Sequence, residues 1–291
     1  MNNIATVVIA LVLYIVLAPV FGGLLAGIDR KVTARMQGRY GPPILQPFYD
    51  VFKLLEKEPI TVNKGQDFYA MCFLIFMIIT GCLFFSGQDI LLVIFVLTLS
   101  SAFLVIGAYV SNSPYAQAGA ERELLSMMAY EPMVLMTAVG FYLFSGSFRV
   151  DEIIGLALPP VVLLPGVFLG FAYILTIKFR KSPFDLSMSH HAHQELVKGL
   201  TTEFSGKTLA LIEIAHWYEN IFLLGLVYIF FAWNSPLSFA VGLIAVVVVY
   251  FIEIFIDNNY ARMKWQFALK SSWVVALTLG FVNLLVLYYM N

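Results

Sequence analysis

Eight apolar stretches, each about as long as a membrane-spanning helix, follow one another along this chain of 291 residues. Roughly 20 residues of helix are needed to cross about 30 Å of hydrocarbon. The chain is 60% hydrophobic and only 12% charged, and a soluble domain of this length could not bury so much apolar surface. The sequence therefore predicts an all-α integral membrane protein, a single polytopic domain over residues 1–291 with about eight transmembrane helices. The stretches are 4–28, 68–87, 90–110, 124–145, 159–178, 208–232, 237–256 and 271–289.

The basic residues orient these predicted helices. When the stretches are threaded alternately through a bilayer, every one of the 17 lysines and arginines except Arg149 falls on the same side. The positive-inside rule makes that side cytoplasmic. The prediction is a multi-pass protein of the cell's inner (plasma) membrane with both termini outside. Its cytoplasmic connectors are 29–67, 111–123, 179–207 and 257–270.

The first cytoplasmic loop, residues 29–67, contains a helical pattern of its own. A Gly-Pro-Pro turn at 41–43 precedes apolar residues that recur at helical spacing from Ile44 to Glu58. This pattern predicts an amphipathic helix of about four turns, too short to span and lying on the cytoplasmic surface. It could anchor the fold or form one wall of a binding cleft.

Ionisable side chains inside the apolar stretches are the first candidates for function, because a carboxylate at membrane depth is costly unless it is paired, hydrated or protonated. Glu213, His216 and Glu219 follow one another at i, i+3 spacing and share one helix face. Burial brings the proton affinities of carboxyl and imidazole groups closer together, as a proton relay requires. The alternative is a buried Glu–His hydrogen bond that fixes packing. The predicted proton or ion pathway comprises Glu131, Glu213, His216, Glu219 and Glu253, although pairing with a basic loop residue would equally explain Glu253.

The third cytoplasmic loop, residues 179–207, is rich in polar side chains and includes His190, His191 and His193. No carboxylate or cysteine is placed to complete a metal site with these histidines, so a hydrogen-bonded or pH-responsive docking surface is the preferred interpretation. The two cysteines, Cys72 and Cys82, form no Cys-x-x-Cys motif. We therefore expect no catalytic residue, metal site or cofactor within this chain, so any redox metal would be held by a partner.

Several loop motifs resemble the H-type membrane subunit of respiratory complex I over nearly the whole chain. SPFDL at 182–186 and TEFSG at 202–206, with ELV at 195–197 between them, resemble that family's third cytoplasmic loop. AYE at 129–131 resembles the start of its fourth helix. The first loop is similar in DRKVTAR at 29–35, GRYGP at 38–42, LQP at 45–47 and KLL at 53–55.

The departures from that family resemble the version found in group 4 energy-converting [NiFe] hydrogenases, the Ech and archaeal membrane-bound types. The family's Asn-Arg-Val-Gly after Gly-Pro is replaced by Pro43-Ile44-Leu45. Its short acidic stretch before ELV is a longer segment without carboxylates, residues 187–194. Its Glu-Tyr in the sixth helix falls at His216-Trp217, with Glu213 one turn earlier.

The resemblance implies a junction subunit that links soluble-arm redox chemistry, driven by ferredoxin, to translocation of H⁺ or Na⁺. Implied partners are hydrogenase large and small subunits carrying the [NiFe] centre and iron–sulfur clusters, antiporter-like membrane subunits, and the lipid bilayer, without nucleic acid. The implied soluble-arm docking surface, or quinone-like cleft, comprises Arg30, Lys31, Arg35, Arg39, Phe184, Asp185, His190, His191, His193, Glu195 and Glu203.

Two other functions remain open from the sequence. One is a quinone- or phenazine-binding subunit of a complex I-like oxidoreductase, with its ligand beside Arg30, Arg35 and the amphipathic helix. The other is a stand-alone secondary transporter that uses Glu131, Glu213 and Glu253. In all three cases the chain by itself is not expected to catalyse a reaction.

Overall fold

The computed structural model describes residues 4–58, 63, 65–188 and 196–290, and these residues are almost entirely helical. Among these residues, seven helical runs are long and apolar enough to cross a membrane, and the last of them is the continuous run Trp265–Met290. This confirms the all-α integral membrane prediction. The helices are α1 (Ile4–Met36), α2 (Gln46–Glu56), α3 (Gly65–Phe85), α4 (Ile90–Val110), α5 (Pro114–Ser145), α6 (Val150–Ile154), α7 (Pro165–Lys178), α8 (Gly206–Phe230), α9 (Pro236–Asn259), α10 (Trp265–Val275) and α11 (Val282–Met290). A π-helical turn, Ala276–Phe281, joins α10 to α11.

The first helix extends beyond its predicted apolar stretch, to Met36 rather than residue 28. Four of the eight additional residues are charged, but most of the eight are good helix formers, so the helix continues out of the hydrocarbon region. Gly38, two residues after the last helical residue, terminates the helix, and its φ of 71° lies in the left-handed region. The amide of Arg39 donates to the carbonyl of Ala34 at 2.7 Å and that of Gly38 to Arg35 at 3.1 Å, the hydrogen bonds of a Schellman motif.

The amphipathic helix is present as α2, three turns long rather than the predicted four. Pro47 lies in its first turn, where a missing amide hydrogen costs nothing. Val51 is buried, and the ring of Phe48 packs against Trp217 of α8 with 5.1 Å between centroids. Phe52, one of the apolar residues at helical spacing from which this helix was predicted, is nevertheless 60% exposed.

The fifth predicted stretch, residues 159–178, forms a shorter helix than expected. A 3₁₀ turn, Pro160–Val162, precedes the 14-residue helix α7. At 1.5 Å per residue α7 is about 21 Å long, less than the thickness of the hydrocarbon core. Pro165 begins the helix, and the side chain of Asn283 satisfies its first free amides by accepting from Gly166 at 2.9 Å and Val167 at 3.1 Å.

The chain divides into two compact units. The first contains the residues up to Ser86, Phe95–Leu124 and Asp185–Ile221, and includes the buried side chains of Phe73, Met77 and Leu104. The second contains Gly87–Ile94, Leu125–Phe184 and the residues from Phe222 onward, where Phe230 packs on Phe141 and Phe168. The single polytopic domain and the outward orientation of both termini stay predictions.

Candidate functional site

A buried hydrogen bond within α8 joins two of the predicted pathway residues in the first unit. Nδ1 of His216 lies 3.2 Å from Oε2 of Glu219, one helical turn further along. The side chain of Glu219 is 1% exposed and that of His216 is 13% exposed. The ring of Phe73 lies edge-on to the imidazole, with 5.4 Å between centroids. Either partner of this hydrogen bond can carry a proton, so the pair can hold a proton between two groups.

The helix face that carries this pair is fixed by neighbouring aromatic residues. Tyr218 donates its hydroxyl hydrogen to the carbonyl of Ile15 in α1 at 2.7 Å, and its ring lies 5.5 Å from that of Tyr14. These contacts set the rotation of α8 against α1. Glu213, the first member of the predicted row, is half-buried on the same helix.

The second unit places a lysine beside Glu131, in α5. Lys178, the last residue of α7, is only 4% exposed, and its Nζ lies 4.2 Å above the centroid of the Tyr130 ring. The ammonium is close enough for its charge to act on the half-buried carboxyl of Glu131. Glu131 is therefore a membrane carboxyl group with a nearby cation.

Glu253, in α9, is 2% exposed within the second unit. The side chain of Thr176 forms a hydrogen bond with its carboxyl group, and the charges of Lys181 and Asp257 act on it. Lys181 is itself buried, with its Nζ 5.2 Å above the ring of Tyr250. The loop that carries Lys181 is attached to α9 because the Ser182 amide donates to Asp257 Oδ1 at 2.8 Å. A basic loop residue therefore lies near Glu253, as the alternative for this carboxyl expects, and its assignment to the pathway stays a prediction.

Four residues of these clusters were missed in the sequence: Tyr130, Thr176, Lys178 and Lys181. The two lysines counted among the cytoplasmic basic residues because Lys178 ends the fifth apolar stretch and Lys181 follows it. A lysine in the last turn of a helix complements the helix dipole, and that signal alone does not indicate a buried partner.

The predicted docking residues of the first loop form exposed contacts. Nη1 of Arg30 lies 2.6 Å from Oδ2 of Asp50, which links α1 to α2. Partial burial alone would raise the pKa of the Asp50 carboxyl, but hydrogen bonds from Arg30 and Gln46 outweigh it and hold the pKa below its ordinary value of 3.8. The guanidinium of Arg35 lies 5.0 Å above the ring of Tyr40.

The remaining two first-loop candidates differ in setting. The side chain of Arg39 is exposed and donates from Nε to Gln37 at 3.1 Å. Lys31 is half-buried.

The described part of the third loop is largely buried. Phe184 and Asp185 are each 5% exposed, and Glu203 is half-buried. Ser187, which follows the SPFDL motif at 182–186, donates a hydrogen bond to Glu123. The sequence did not predict this contact. Burial of Phe184 and Asp185 favours a role in fixing the loop, while their assignment to a docking surface stays a prediction.

His190, His191, His193 and Glu195 lie outside the described residues. Among residues 4–58, 63, 65–188 and 196–290, no three His, Cys, Asp or Glu side chains converge as metal ligands would. The expectation that this chain holds no metal therefore stays a prediction.

Comparison with known proteins places these features in a family. The family model described as NADH dehydrogenase matches residues 7–288. Hydrogenase-4 component C of Escherichia coli K12 is 28% identical over 90% of this chain and 89% of its own length. The H-type subunit of the NADH-quinone oxidoreductase of Geobacillus kaustophilus is 31% identical over 94% of this chain and 90% of its own length.

A solved structure agrees with these relatives. A chain of the membrane-bound sulfane sulfur reductase, an archaeal respiratory membrane complex, superposes with a TM-score of 0.85 at 27% identity, covering 97% of this chain and 99% of that chain. The chain therefore belongs to the NADH dehydrogenase family of H-type membrane subunits, whose members include components of complex I-like and hydrogenase complexes.

Proposed function

We propose that this H-type membrane subunit is the junction of a ferredoxin-linked energy-converting hydrogenase. In that role it would couple electron transfer in a soluble arm to translocation of H⁺ or Na⁺ across the inner membrane. The single observation that carries the proposal is the buried His216–Glu219 hydrogen bond inside a membrane-spanning helix. A purely structural anchor has no need for an ionisable pair at that depth, where burial of charge is costly.

The second unit supports the same role. Glu131 has the ammonium of Lys178 nearby, and Glu253 has that of Lys181 nearby. A carboxyl group with a cation at close range responds strongly to any change of charge in its surroundings, because electrostatic interactions are large in a low-dielectric interior. Such groups suit a protein that senses electron transfer in a neighbouring subunit.

The hydrogenase assignment is supported by sequence. Hydrogenase-4 component C is similar over nine-tenths of the chain. The sixth-helix His216-Trp217 and the carboxylate-free segment 187–194 depart from the pattern of quinone-linked members. In this proposal a [NiFe] centre and iron–sulfur clusters belong to partner subunits, and ferredoxin reaches them through the soluble arm. Antiporter-like membrane subunits would receive the conformational or electrostatic signal from this chain.

A second candidate is a quinone- or phenazine-linked oxidoreductase. It is favoured by the 31% identity to the H-type subunit of an NADH-quinone oxidoreductase and by the Arg30–Asp50 ion pair between α1 and α2, which would border a cleft for a lipid-soluble acceptor. A stand-alone transporter has no such support, because the relatives are components of multisubunit complexes.

Affinity purification of the tagged chain from its native membrane in mild detergent tests the proposal. The expected product is a complex whose large subunit contains two Cys-x-x-Cys pairs and which evolves hydrogen from reduced ferredoxin. A large subunit without those pairs, together with quinone- or phenazine-dependent electron transfer, would favour the second candidate. A chain that purifies alone and transports ions by itself would exclude both.

A further inference from the structure

A cavity of about 660 Å³ lies in the second unit, where α7 contacts both α9 and α10. Cavities of roughly 300–1,000 Å³ are typical of small-molecule sites, so this space is much larger than one or two waters need. Its wall is mostly apolar, with Leu169 and Phe168 from α7, Ile252 from α9 and Phe267 and Val274 from α10. The lining from Leu169 to Thr176 corresponds to about 10 Å along α7.

Three polar residues of the wall are already paired. The hydroxyl of Tyr173 donates to Ser271 Oγ at 2.8 Å, and Ser271 Oγ donates in turn to the carbonyl of Phe267 at 2.7 Å. The side chain of Thr176 forms a hydrogen bond with the Glu253 carboxyl group. These groups therefore do not require a ligand.

Glu253 differs from them. It lines the cavity and is 2% exposed, and its Oε2 has no hydrogen-bond partner among the described residues. A buried acceptor without a donor is destabilising because its lost hydration is not replaced, and more so when it is charged. The charges nearest to this carboxyl are Lys181 and Asp257, which act on it without hydrogen-bonding to Oε2.

Part of the cavity wall consists of exposed apolar side chains. Leu169 is 55% exposed, Ile252 47% and Val274 50%, and all three belong to apolar helices of the membrane region. The loop after α9 also contributes to the wall, where the amide of Met263 donates to the carbonyl of Pro183 at 3.0 Å and both residues line the cavity. A molecule would enter sideways from the bilayer. Its polar head would reach the carboxyl group of Glu253, and its apolar body would lie along the apolar wall.

From these observations we infer that the cavity between α7, α9 and α10 is a binding site for a bilayer-derived amphiphile. Its hydrogen-bond donor head, a hydroxyl or ammonium group, would be held by Oε2 of Glu253, and its hydrocarbon would occupy the apolar part. The lining of this site includes neither His216 nor Glu219, and the same site is expected whichever electron-transfer complex contains the chain.

The experiment uses photoaffinity labelling of the intact complex in phosphatidylglycerol–phosphatidylcholine nanodiscs. The probe is a C16 alcohol with a diazirine in the middle of its chain, and the matched control is its methyl ether, which lacks the donor. Crosslinked peptides are identified by mass spectrometry. The inference predicts labelling of the α7, α9 and α10 lining residues that is about tenfold stronger for the alcohol, a factor consistent with one hydrogen bond to a carboxylate. Excess hexadecanol should remove this labelling.

Two variants locate the site. Glu253→Leu removes the acceptor and should reduce alcohol labelling to the level of the ether. Ala172→Phe fills the cavity from α7 while leaving Glu253 unchanged, and should abolish labelling by both probes. Val247 of α9 is 61% exposed and does not line the cavity. Val247→Phe is therefore the control and should leave labelling unchanged. If alcohol and ether label equally and this labelling persists in Ala172→Phe, the probes contact the protein nonspecifically from bulk lipid. Either that result or an absence of labelling would overturn the inference.

Discussion

Nζ of Lys178 lies 4.2 Å above the centre of the Tyr130 ring, and its charge acts on the neighbouring Glu131 carboxyl group. A basic residue that hydropathy analysis places at a membrane surface is therefore buried beside an aromatic ring and a carboxyl group. The consequence is an electrostatic cluster at the meeting of α5 and α7, within the second unit.

Replacing Lys178 with methionine should destabilise the chain. The aliphatic stem would be retained, but the cation–π contact would be lost, at a cost of about 2 kcal/mol for a desolvated site. Thermal denaturation of the purified complex, followed by loss of the folded chain, measures the effect. Lys178→Arg should retain most of the stability. Lys270→Met, at an exposed position of α10, is the control, and equal midpoints for the two methionine variants would contradict the prediction.

The Arg30–Asp50 ion pair predicts an acid-sensitive attachment of α2. The pKa of Asp50 in the folded chain is below the 3.8 expected when it is unfolded, so its stabilising contribution is fully present above pH 3.8 and is lost as the pH falls through the lower folded value. The contribution is at most about 1 kcal/mol, because both side chains are more than a third exposed.

Hydrogen exchange over residues 46–56, corrected for the intrinsic pH dependence, would detect this loss. Protection should be constant between pH 7 and pH 5 and should decrease below 3.8. Asp50→Asn should remove the acid dependence. An unchanged acid response in that variant would assign the transition to another group.

The close approach of α1 to the segment before α2 predicts an intolerant glycine. A Cβ atom on Gly27 would overlap the backbone carbonyl of Ile44, which cannot move like a flexible side chain. Gly27→Ala should therefore displace α2 and lower the yield of assembled complex. Gly38→Ala meets no neighbouring atom and should cost only about 1–2 kcal/mol through its left-handed backbone. Wild-type assembly of Gly27→Ala, measured by size-exclusion chromatography, would contradict this packing.

Much of the fold follows from apolar length alone, since only helices satisfy their backbone hydrogen bonds within a single apolar segment. The fifth stretch was predicted too long because Pro160 and Pro165 interrupt it, and hydropathy does not register backbone hydrogen bonding. Helical spacing also does not determine which apolar side chains of α2 are buried. Phe48 packs against Trp217, whereas the ring of Phe52 is exposed.

The candidate site could be predicted only where its residues share one helix. His216 and Glu219 are neighbours through i, i+3 spacing, which the sequence displays directly. The contact of Lys178 with Tyr130 joins α7 to α5, and the proximity of Lys181 to Glu253 joins a loop to α9. Such pairings depend on tertiary packing, for which a single sequence contains no comparable signal.

The most direct test of coupling is ion uptake into inverted membrane vesicles driven by reduced ferredoxin, measured with hydrogen evolution on the same sample. Glu219→Gln retains the size of the side chain but removes its ability to exchange a proton with His216. The initial rate of uptake should fall about tenfold or more, as for removal of a proton-transfer group. Glu152→Gln, at an exposed position of α6, should behave as wild type. Wild-type ion uptake by Glu219→Gln would contradict the assignment of the buried His216–Glu219 pair to the coupling pathway.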